Sequence, residues 1–348
     1  MKLNLLKRVS WEDSQLLYHA QPRLGREGLN LLAPATPYVC IGFFQDLEQE
    51  VDVAYCREND IPIFRREVGG GAVYLDGDQL FFQLVIHRDN PLVPDGGKLA
   101  FYRRFLQAPI EAYRALGIPA EYREVNDIVA NERKVSGTGA AEIGDYYVLV
   151  GNLIVDFDYE TMARVLRVPD EKFRDKVYKT IRDNLSTVRR EIGTVPDRDG
   201  LWSLMVETFT DMLGPMEVVS SIDEVCRAEI DRLGERMLSD AWLHRGGRRR
   251  QGGRAVRIRA GVDVRQRVHK APGGLMRATL EVRDGRLASV SLSGDFFFYP
   301  AEKLAALETA LAGAKVEDAR DVVDQFYAEE GVESPGVTSD DFGVLIAG

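Results

Sequence analysis

Apolar and polar residues follow one another along this chain in patterns that predict helices and strands in mixed order. Ser10 is predicted to cap the first helix, because its hydroxyl oxygen can accept a backbone N–H that the helix leaves unpaired. Pro109 interrupts a later run of helical spacing, and a bend is expected there. The predicted elements are a helix over 11–25, strands at Tyr38–Gly42, 61–64 and Gln79–His87, a helix over Leu99–Leu116, a strand-rich segment at 126–157 and a mostly helical segment at 159–240.

The composition changes most sharply at residues 245–254, where glycine pairs flank a cluster of arginines. Such a stretch cannot bury a core and is typical of a solvated linker. After it, Arg254–Val268 and Gly274–Leu292 alternate like strands, with a hairpin turn at 284–285, and a helix is predicted at Pro300–Leu311. The sequence therefore predicts an α+β protein with a mixed α+β domain at 1–244, a linker at 245–254 and a small α+β domain at 255–348.

Charge and cysteine usage narrow the possible functions. The chain has 348 residues, and 45 basic against 55 acidic residues give a net charge of −10. That balance argues against a nucleic-acid partner, since affinity for nucleic acid depends mainly on neutralising phosphates. Cys40, Cys56 and Cys226 form no CxxC pair, so neither a disulfide framework nor a zinc ribbon is predicted. No secretory leader and no run of about eighteen apolar residues is found, so a cytoplasmic protein with no membrane partner is expected.

Three consecutive glycines, Gly69, Gly70 and Gly71, lie between a short apolar run and the β-favouring Ala72-Val73-Tyr74. Glycine has no Cβ, so such a loop can bring its backbone amides against a ligand. The preceding Arg65-Arg66 pair supplies positive charge. These features favour a site for an anionic ligand, with an ordinary hairpin turn as the alternative.

A second group of polar residues runs from Asn126 to Gly139 and is predicted to form a strand, a polar turn and a second strand. Lys134 lies just before a further glycine-bearing segment. Its ammonium group is a mobile point charge that can follow a phosphate or a developing oxyanion. Asp127 is a candidate ligand for a hard divalent cation. The alternative for Lys134 is a solvated lysine on an edge strand.

Taken together, these two motifs resemble the lipoate protein ligase A family of the biotin and lipoate ligase superfamily. The similarity extends to Val39–Gln45, to the lysine-rich stretch Lys172–Thr187 and to Ser293–Phe297 near the C-terminus. The chain departs from the family at Leu75–Gln79, where relatives usually have His-Asp-x-Gly-Asn and only Asp76 keeps the pattern. This departure suggests a divergent branch, one that serves the lipoate-binding proteins of sulfur oxidation.

The resemblance implies a mixed-sheet catalytic domain of the biotin/lipoate ligase type with a small α+β accessory domain that rotates between reaction steps. It implies activation of lipoate or octanoate with ATP and Mg²⁺ as acyl-AMP, and transfer to a carrier lysine. Lys134 is the implied catalytic residue and Asp127 the implied metal ligand. The implied lipoate- and adenylate-binding residues are Arg65, Arg66, Gly69, Gly70, Gly71, Ala72, Val73, Tyr74, Asp76, Asn126, Asp127, Ser136, Gly137, Lys176 and Lys179.

The implied partner is a lipoyl-carrier protein: a lipoyl domain, a relative of the glycine-cleavage H protein or a lipoate-binding protein of sulfur oxidation. A monomer is expected. One alternative is an ATP-independent octanoyl or lipoyl transferase on the same fold, of which one branch has a cysteine nucleophile near the Asn126-Asp127-Ile128 position. Others are an inactive carrier-binding protein and a biotin ligase. For Asp76, orientation of the glycine loop and plain stabilisation of its own turn are equally open.

Overall fold

The computed structural model describes residues 1–168, 170–245, 256–259 and 262–348. Within these ranges the chain divides into two units. The first contains Met1–Cys40, Glu50–Arg66 and Val73–Leu243, and the second contains Ile41–Gln49, Glu67–Ala72 and His244–Gly348. Apart from Arg245, the predicted linker 245–254 lies outside the described residues, and the predicted domain boundaries stay a prediction.

The strands of the first unit form one large mixed sheet and two small sheets. Among the described residues the large sheet has the order β10-β11-β6-β2-β1-β12, in which β1 runs parallel to both neighbours and the other pairs are antiparallel. The small sheets have the orders β4-β3-β5 and β7-β8-β9. The strands are β1 Lys2–Val9, β2 Gly28–Pro34, β3 Tyr38–Ile41, β4 Ile63–Arg65, β5 Val73–Leu75, β6 Gln79–His87, β7 Glu121–Arg123, β8 Asp127–Ala130, β9 Arg133–Ser136, β10 Thr138–Ile143, β11 Tyr146–Ile154 and β12 Glu217–Val219.

Helices cover both faces of the large sheet, which is why β2 is buried along its whole length. Leu29 and Leu31 of β2 face a core built with α4, α5 and α9, whereas Leu32 faces α1 and α10. The helices of this unit are α1 Trp11–Arg23, α3 Val53–Glu58, α4 Gly97–Phe105, α5 Gln107–Ala115, α6 Tyr159–Val165, α7 Arg174–Asn184, α8 Val188–Ile192, α9 Arg198–Leu213, α10 Glu224–Met237 and α11 Asp240–Leu243, and the short helix α2 Leu47–Glu50 belongs mostly to the second unit.

Ser10 and Pro109 determine where helices begin and end in this unit. Ser10 caps α1 and accepts a hydrogen bond from the amide of Asp13 at 3.1 Å, as predicted. The predicted bend at Pro109 lies earlier in the chain, between α4 and α5 at Leu106. The cause is steric, since a proline ring within a helix meets the carbonyl four residues before it, here that of Phe105.

The second unit is built on an antiparallel sheet in the order β13-β14-β15-β16. The predicted turn at Asp284 and Gly285 joins β15 to β16, and both residues have positive φ. Its core includes Phe296, Phe298 and Phe342. The elements are β13 Val256–Arg259, β14 Val262–Ala271, β15 Gly274–Arg283, β16 Arg286–Gly294, α12 Lys303–Leu311, α13 Ala319–Glu330 and α14 Ser339–Ala347. These observations confirm the predicted α+β class with a mixed sheet.

None of the helices in the described ranges is long and apolar enough to cross a membrane.

Candidate active site

The β8–β9 hairpin of the first unit carries the predicted catalytic lysine. Its turn consists of Asn131 and Glu132, whose φ angles of 48° and 63° are those that a tight two-residue hairpin loop requires. Lys134 pairs with Val129, and the register shifts one residue later in β9. Because side chains alternate along a strand, Lys134 and Asp127 lie on the same face as Val129 and are diagonal neighbours.

Lys134 and Asp127 form a close ion pair. Lys134 Nζ lies 2.5 Å from Asp127 Oδ1, and the two side chains are 33% and 28% exposed. Arg123 approaches the other carboxylate oxygen at 4.0 Å. The ammonium group is therefore held in a defined position and still reaches solvent, which is what a group that binds an incoming phosphate requires.

The predicted binding residues next to the hairpin hold the backbone in place. Asn126 donates its side-chain amide to Thr138 O at 2.5 Å. Ser136 is fully buried and donates its hydroxyl to Asn152 O at 2.6 Å, and the Gly137 amide donates to Asn152 Oδ1 at 2.8 Å. These contacts fix the end of β9 against β11, so the ion pair is carried by a firmly supported strand.

The fit of a divalent cation depends on Asp127. The described residues contain no group of three or more His, Cys, Asp or Glu side chains placed to hold a metal ion. Mg²⁺ usually keeps several waters and takes one or two protein carboxylates together with substrate phosphates. A single, partly exposed carboxylate at Asp127 fits that arrangement and fits no all-protein metal site.

Helix α7 carries the predicted phosphate clamp, Lys176 and Lys179, and both side chains are exposed. Arg174 anchors the start of the helix, because its guanidinium donates to the carbonyls of Ala163 and Leu166 at 2.7 and 2.6 Å. The exposed lysines thus stand on a helix that is fixed at its first residue.

The chain after α7 is joined to the lysine hairpin. Leu185 forms a parallel bridge with Lys134, and the Ser186 amide donates to Lys134 O at 2.8 Å. Ser186 and the nearby Glu191 were not singled out by the sequence. No spacing or motif links these positions to Lys134, since the contact arises only in the folded chain.

The two predicted arginines occupy different surroundings in the first unit. Arg65 is fully buried, and its Nε and Nη2 donate to Leu243 O at 3.0 and 2.8 Å. Trp242 returns a hydrogen bond from Nε1 to Arg65 O at 2.9 Å, so Arg65 fixes the end of α11. Arg66 is 9% exposed and donates to Cys40 O at 3.2 Å.

Residues Gly69, Gly70, Gly71 and Ala72 are grouped with the second unit. The Gly70 amide donates to Phe296 O at 3.3 Å, and Gly70 has a φ of 89° that favours glycine. A Cβ on Gly42 would lie 1.9 Å from Gly70 O. The glycine loop therefore approaches the backbone at Gly42 so closely that no side chain fits at Gly42.

Strand β5 and the turn after it contain the remaining predicted residues. Val73 pairs with Cys40 in β3, and Tyr74 is buried, which raises the pKa of its hydroxyl. Asp76 accepts the amide of Asp78 at 2.9 Å, a contact that stabilises its own turn. Burial, together with the charges of Asp78 and Asp158, raises the pKa of Asp76 to about 6.

All three cysteines are buried in the first unit. Burial raises the pKa of the Cys40 thiol, that of Cys56 to about 12 and that of Cys226 to about 11. Nucleophilic thiols are exposed and have lowered pKa values, so these cysteines have the properties of core residues.

Curated relatives of this chain are lipoate ligases and octanoyltransferases. The chain is 36% identical to lipoate-protein ligase A subunit 1 of Thermoplasma acidophilum over 160 residues, which cover 43% of this chain and 59% of that protein. It is 29% identical to a lipoate–protein ligase of Streptococcus pyogenes, over 89% of this chain and 88% of the relative. It is 24% identical to the octanoyltransferase LipM of Moorella thermoacetica, over 62% of this chain and 86% of the relative.

This chain also resembles a solved structure and matches a protein family. The bi-partite lipoate protein ligase of Thermoplasma acidophilum, studied with its E2 lipoyl domain, superposes with a TM-score of 0.62 at 27% identity, over 72% of this chain and 98% of that one. This likeness confirms the expected biotin/lipoate ligase fold. Residues 9–210 match the family described as the lipoyl protein ligase A/B catalytic domain. That match covers more than half of the chain, and the resemblance inferred from the motifs is correct: the chain belongs to the lipoyl protein ligase A/B family.

Proposed function

We propose that this protein is an ATP-dependent lipoate–protein ligase. In the first step the carboxylate of lipoate or octanoate attacks the α-phosphorus of ATP, which forms acyl-AMP and releases pyrophosphate. In the second step the ε-amine of a carrier lysine attacks the acyl carbonyl, and AMP leaves. The ligases among its relatives support this reaction, as does the supported, solvent-accessible ammonium group of Lys134.

The position of Lys134 is the observation that carries the proposal. Negative charge develops on phosphate oxygens in the first step and on the carbonyl oxygen in the second. A fixed cation near those oxygens stabilises both transition states more than the ground states. The ion pair with Asp127 orients Lys134 before a ligand arrives, so less ordering is needed when the phosphate binds.

The other predicted binding residues have simpler roles in the proposal. Asp127 would hold Mg²⁺, which when bound supplies positive charge to the nucleotide phosphates. Lys176 and Lys179 on α7 would bind those phosphates from the solvent side, since both are exposed. Gly69, Gly70 and Gly71 remain predicted binding residues for the ligand's anionic groups.

The proposed acceptor is a lysine on a lipoyl-carrier protein. The Thermoplasma ligase was studied with an E2 lipoyl domain, which supports a carrier of that class. A glycine-cleavage H-like protein and a lipoate-binding protein of sulfur oxidation are the other carriers to be tested. We further propose a cytoplasmic location, since free cysteines such as these are usual in a reducing compartment.

An ATP-independent octanoyltransferase is the second candidate, and the LipM relative favours it. A thiol-dependent transferase needs an accessible cysteine with a lowered pKa. The buried cysteines here, with raised thiol pKa values, do not meet that need. The ligase reaction is therefore the one that the residues support better.

Pyrophosphate exchange separates the candidates. Purified protein is incubated with ATP, Mg²⁺ and labelled pyrophosphate in the presence of lipoate, octanoate or biotin. A ligase incorporates label into ATP when the acid that it activates is present. A transferase or an inactive carrier-binding protein incorporates no label. Exchange with biotin alone would identify a biotin ligase and contradict the proposal.

A further inference from the structure

Helix α8 lies between the lysine hairpin and the end of α7. Its N-cap Thr187 accepts the amide of Arg190 at 3.1 Å. Arg189 attaches the helix to the end of β11, since its amide donates to Val155 O at 2.9 Å and its Nε lies 2.9 Å from Asp156 Oδ2. A helix of five residues is marginal alone, so these contacts are what hold α8 in position.

Two side chains of α8 reach to its neighbours. The Arg190 guanidinium donates to Leu185 O at 3.0 Å and to Arg182 O, which satisfies carbonyls at the end of α7. One oxygen of the Glu191 carboxylate accepts a hydrogen bond from the Ser186 hydroxyl. The other oxygen accepts a hydrogen bond from the side-chain amide of Asn131 at 2.6 Å. Glu191 is therefore hydrogen-bonded to both segments at once.

The two partners of Glu191 lie at informative positions. Asn131 is the first residue of the turn between β8 and β9, three residues before Lys134. Ser186 is fully buried, and its amide donates to Lys134 O. The same carboxylate thus fixes the turn that precedes Lys134 and the residue that is bonded to the backbone of Lys134.

We propose that Glu191 is a positioning residue for Lys134. It holds the hairpin and the end of α7 in one arrangement, so that the Lys134 ammonium and the exposed lysines of α7 meet the same nucleotide. Hydrogen bonds to an ionised carboxylate are stronger than neutral ones, which suits a link between two segments. This inference rests on the proposed ligase function and adds to it a residue that acts only through others.

The test compares Glu191→Ala and Glu191→Gln with the wild-type chain. Glutamine keeps an oxygen that can accept from Asn131 and gains an amide that can donate to the Ser186 hydroxyl, so it loses the charge, whereas alanine loses both hydrogen bonds. We expect kcat for lipoate-dependent pyrophosphate exchange to fall about 10- to 100-fold in Glu191→Ala, and less in Glu191→Gln, because small displacements of a charge-stabilising group lower kcat steeply. KM for lipoate should stay within about twofold, as expected when an interaction matters mainly in the transition state.

A control variant and a double-mutant cycle distinguish a positioning role of Glu191 from an effect on folding. Glu207→Ala removes an exposed glutamate of α9 in the same unit and should leave kcat unchanged. Asn131→Ala and the double variant with Glu191→Ala should show non-additive losses in kcat, because they break one shared contact. Additive losses, or a fall in kcat that only follows the folded fraction, would overturn the inference.

Amide exchange tests the link without any ligand. In Glu191→Ala the Ser186 amide and the Asn131 turn should exchange faster than in the wild type, while the amides of β6 should not change. Unchanged exchange at Ser186 would refute the positioning role. A wild-type protein with no pyrophosphate exchange would instead contradict the ligase function, and amide exchange would still test the Glu191 link.

Discussion

Lys134 Nζ and Asp127 Oδ1 lie 2.5 Å apart across a strand pair, and both side chains are about one-third exposed. Exposed ion pairs of this kind contribute roughly 0 to 1 kcal/mol to folding, so the value of the pair is not in stability. The ion pair instead restricts the long and flexible side chain of Lys134 to one position. The two residues can therefore be replaced with little effect on the fold and a large effect on the chemistry.

Lys134→Ala should fold and lose both partial reactions. The variant removes the ammonium group that pairs with Asp127. The hydrogen bonds that Ser136 and Gly137 make to Asn152 remain. Loss of one preorganised charge costs about 100- to 1,000-fold in kcat. Pyrophosphate exchange measures the first step, and transfer from preformed lipoyl-AMP to a lipoyl domain measures the second. Lys303→Ala, which breaks an exposed ion pair with Glu330, is the control, and wild-type exchange in Lys134→Ala would rule out its role.

Asp127→Asn should raise the Mg²⁺ concentration needed for half-maximal exchange. Asparagine keeps the size of the side chain and loses the charge that a hard cation prefers. A loss of about 1.4 kcal/mol or more of metal binding corresponds to about a tenfold higher Mg²⁺ requirement. Asp145→Asn, at an exposed ion pair with Arg88, is the matched control. If kcat falls equally at every Mg²⁺ concentration, Asp127 orients Lys134 and does not bind the metal.

Local chemistry in the sequence predicted several elements correctly. Ser10 was predictable as a cap and Asp284-Gly285 as a turn, because each depends on residues next to it in the chain. The end of α4 at Phe105 was less accessible, since the steric effect of Pro109 acts four residues upstream. Prediction worked where the cause and its consequence are neighbours in the sequence.

The candidate site was predictable only in part, for the same physical reason. Family motifs identified Lys134 and Asp127, and the structure brings them together. The full burial of Arg65 against Leu243 O is a tertiary contact, which no pattern around Arg65 reveals. The hydrogen bonds of Glu191 also join segments that are distant in the chain. Such contacts depend on packing, which a single sequence does not encode locally.

Asp76 should make folding stability depend on pH. Its pKa is raised from 3.8 to about 6 mainly by burial, so between these values the folded chain binds more protons than the unfolded chain. The free energy of unfolding then falls as pH rises from about 4 to about 6. Above about pH 6 the folded protein carries the full cost of burying the ionised Asp76 carboxylate. Asp76→Asn keeps an acceptor for the Asp78 amide and removes the ionisation.

The free energy of unfolding of Asp76→Asn should therefore rise relative to that of the wild type between about pH 4 and pH 6. Above that range the difference should be constant. Urea unfolding of both proteins over this range measures it. Parallel stability curves would show that the Asp76 carboxyl titrates alike in both states and would contradict the expected dependence.

The glycine triplet should tolerate alanine unequally. A Cβ on Gly69 would lie 2.7 Å from Phe296 O and 2.9 Å from a ring carbon of Phe297, and the carbonyl belongs to backbone that cannot give way cheaply. The nearest atom to a Cβ on Gly71 is Asp295 Cβ at 3.7 Å, an ordinary contact. Gly69→Ala should therefore destabilise the second unit by about 1 to 3 kcal/mol.

Gly71→Ala should change stability by less than about 0.5 kcal/mol, which makes it the matched control for Gly69→Ala in the same loop. Calorimetric unfolding of both variants measures the difference. A large loss in Gly71→Ala, or none in Gly69→Ala, would contradict the packing described for the loop. If Gly71→Ala keeps its stability and loses pyrophosphate exchange, the added methyl group blocks the approach of the ligand to the loop backbone. That outcome would support the predicted binding of anionic groups by this loop.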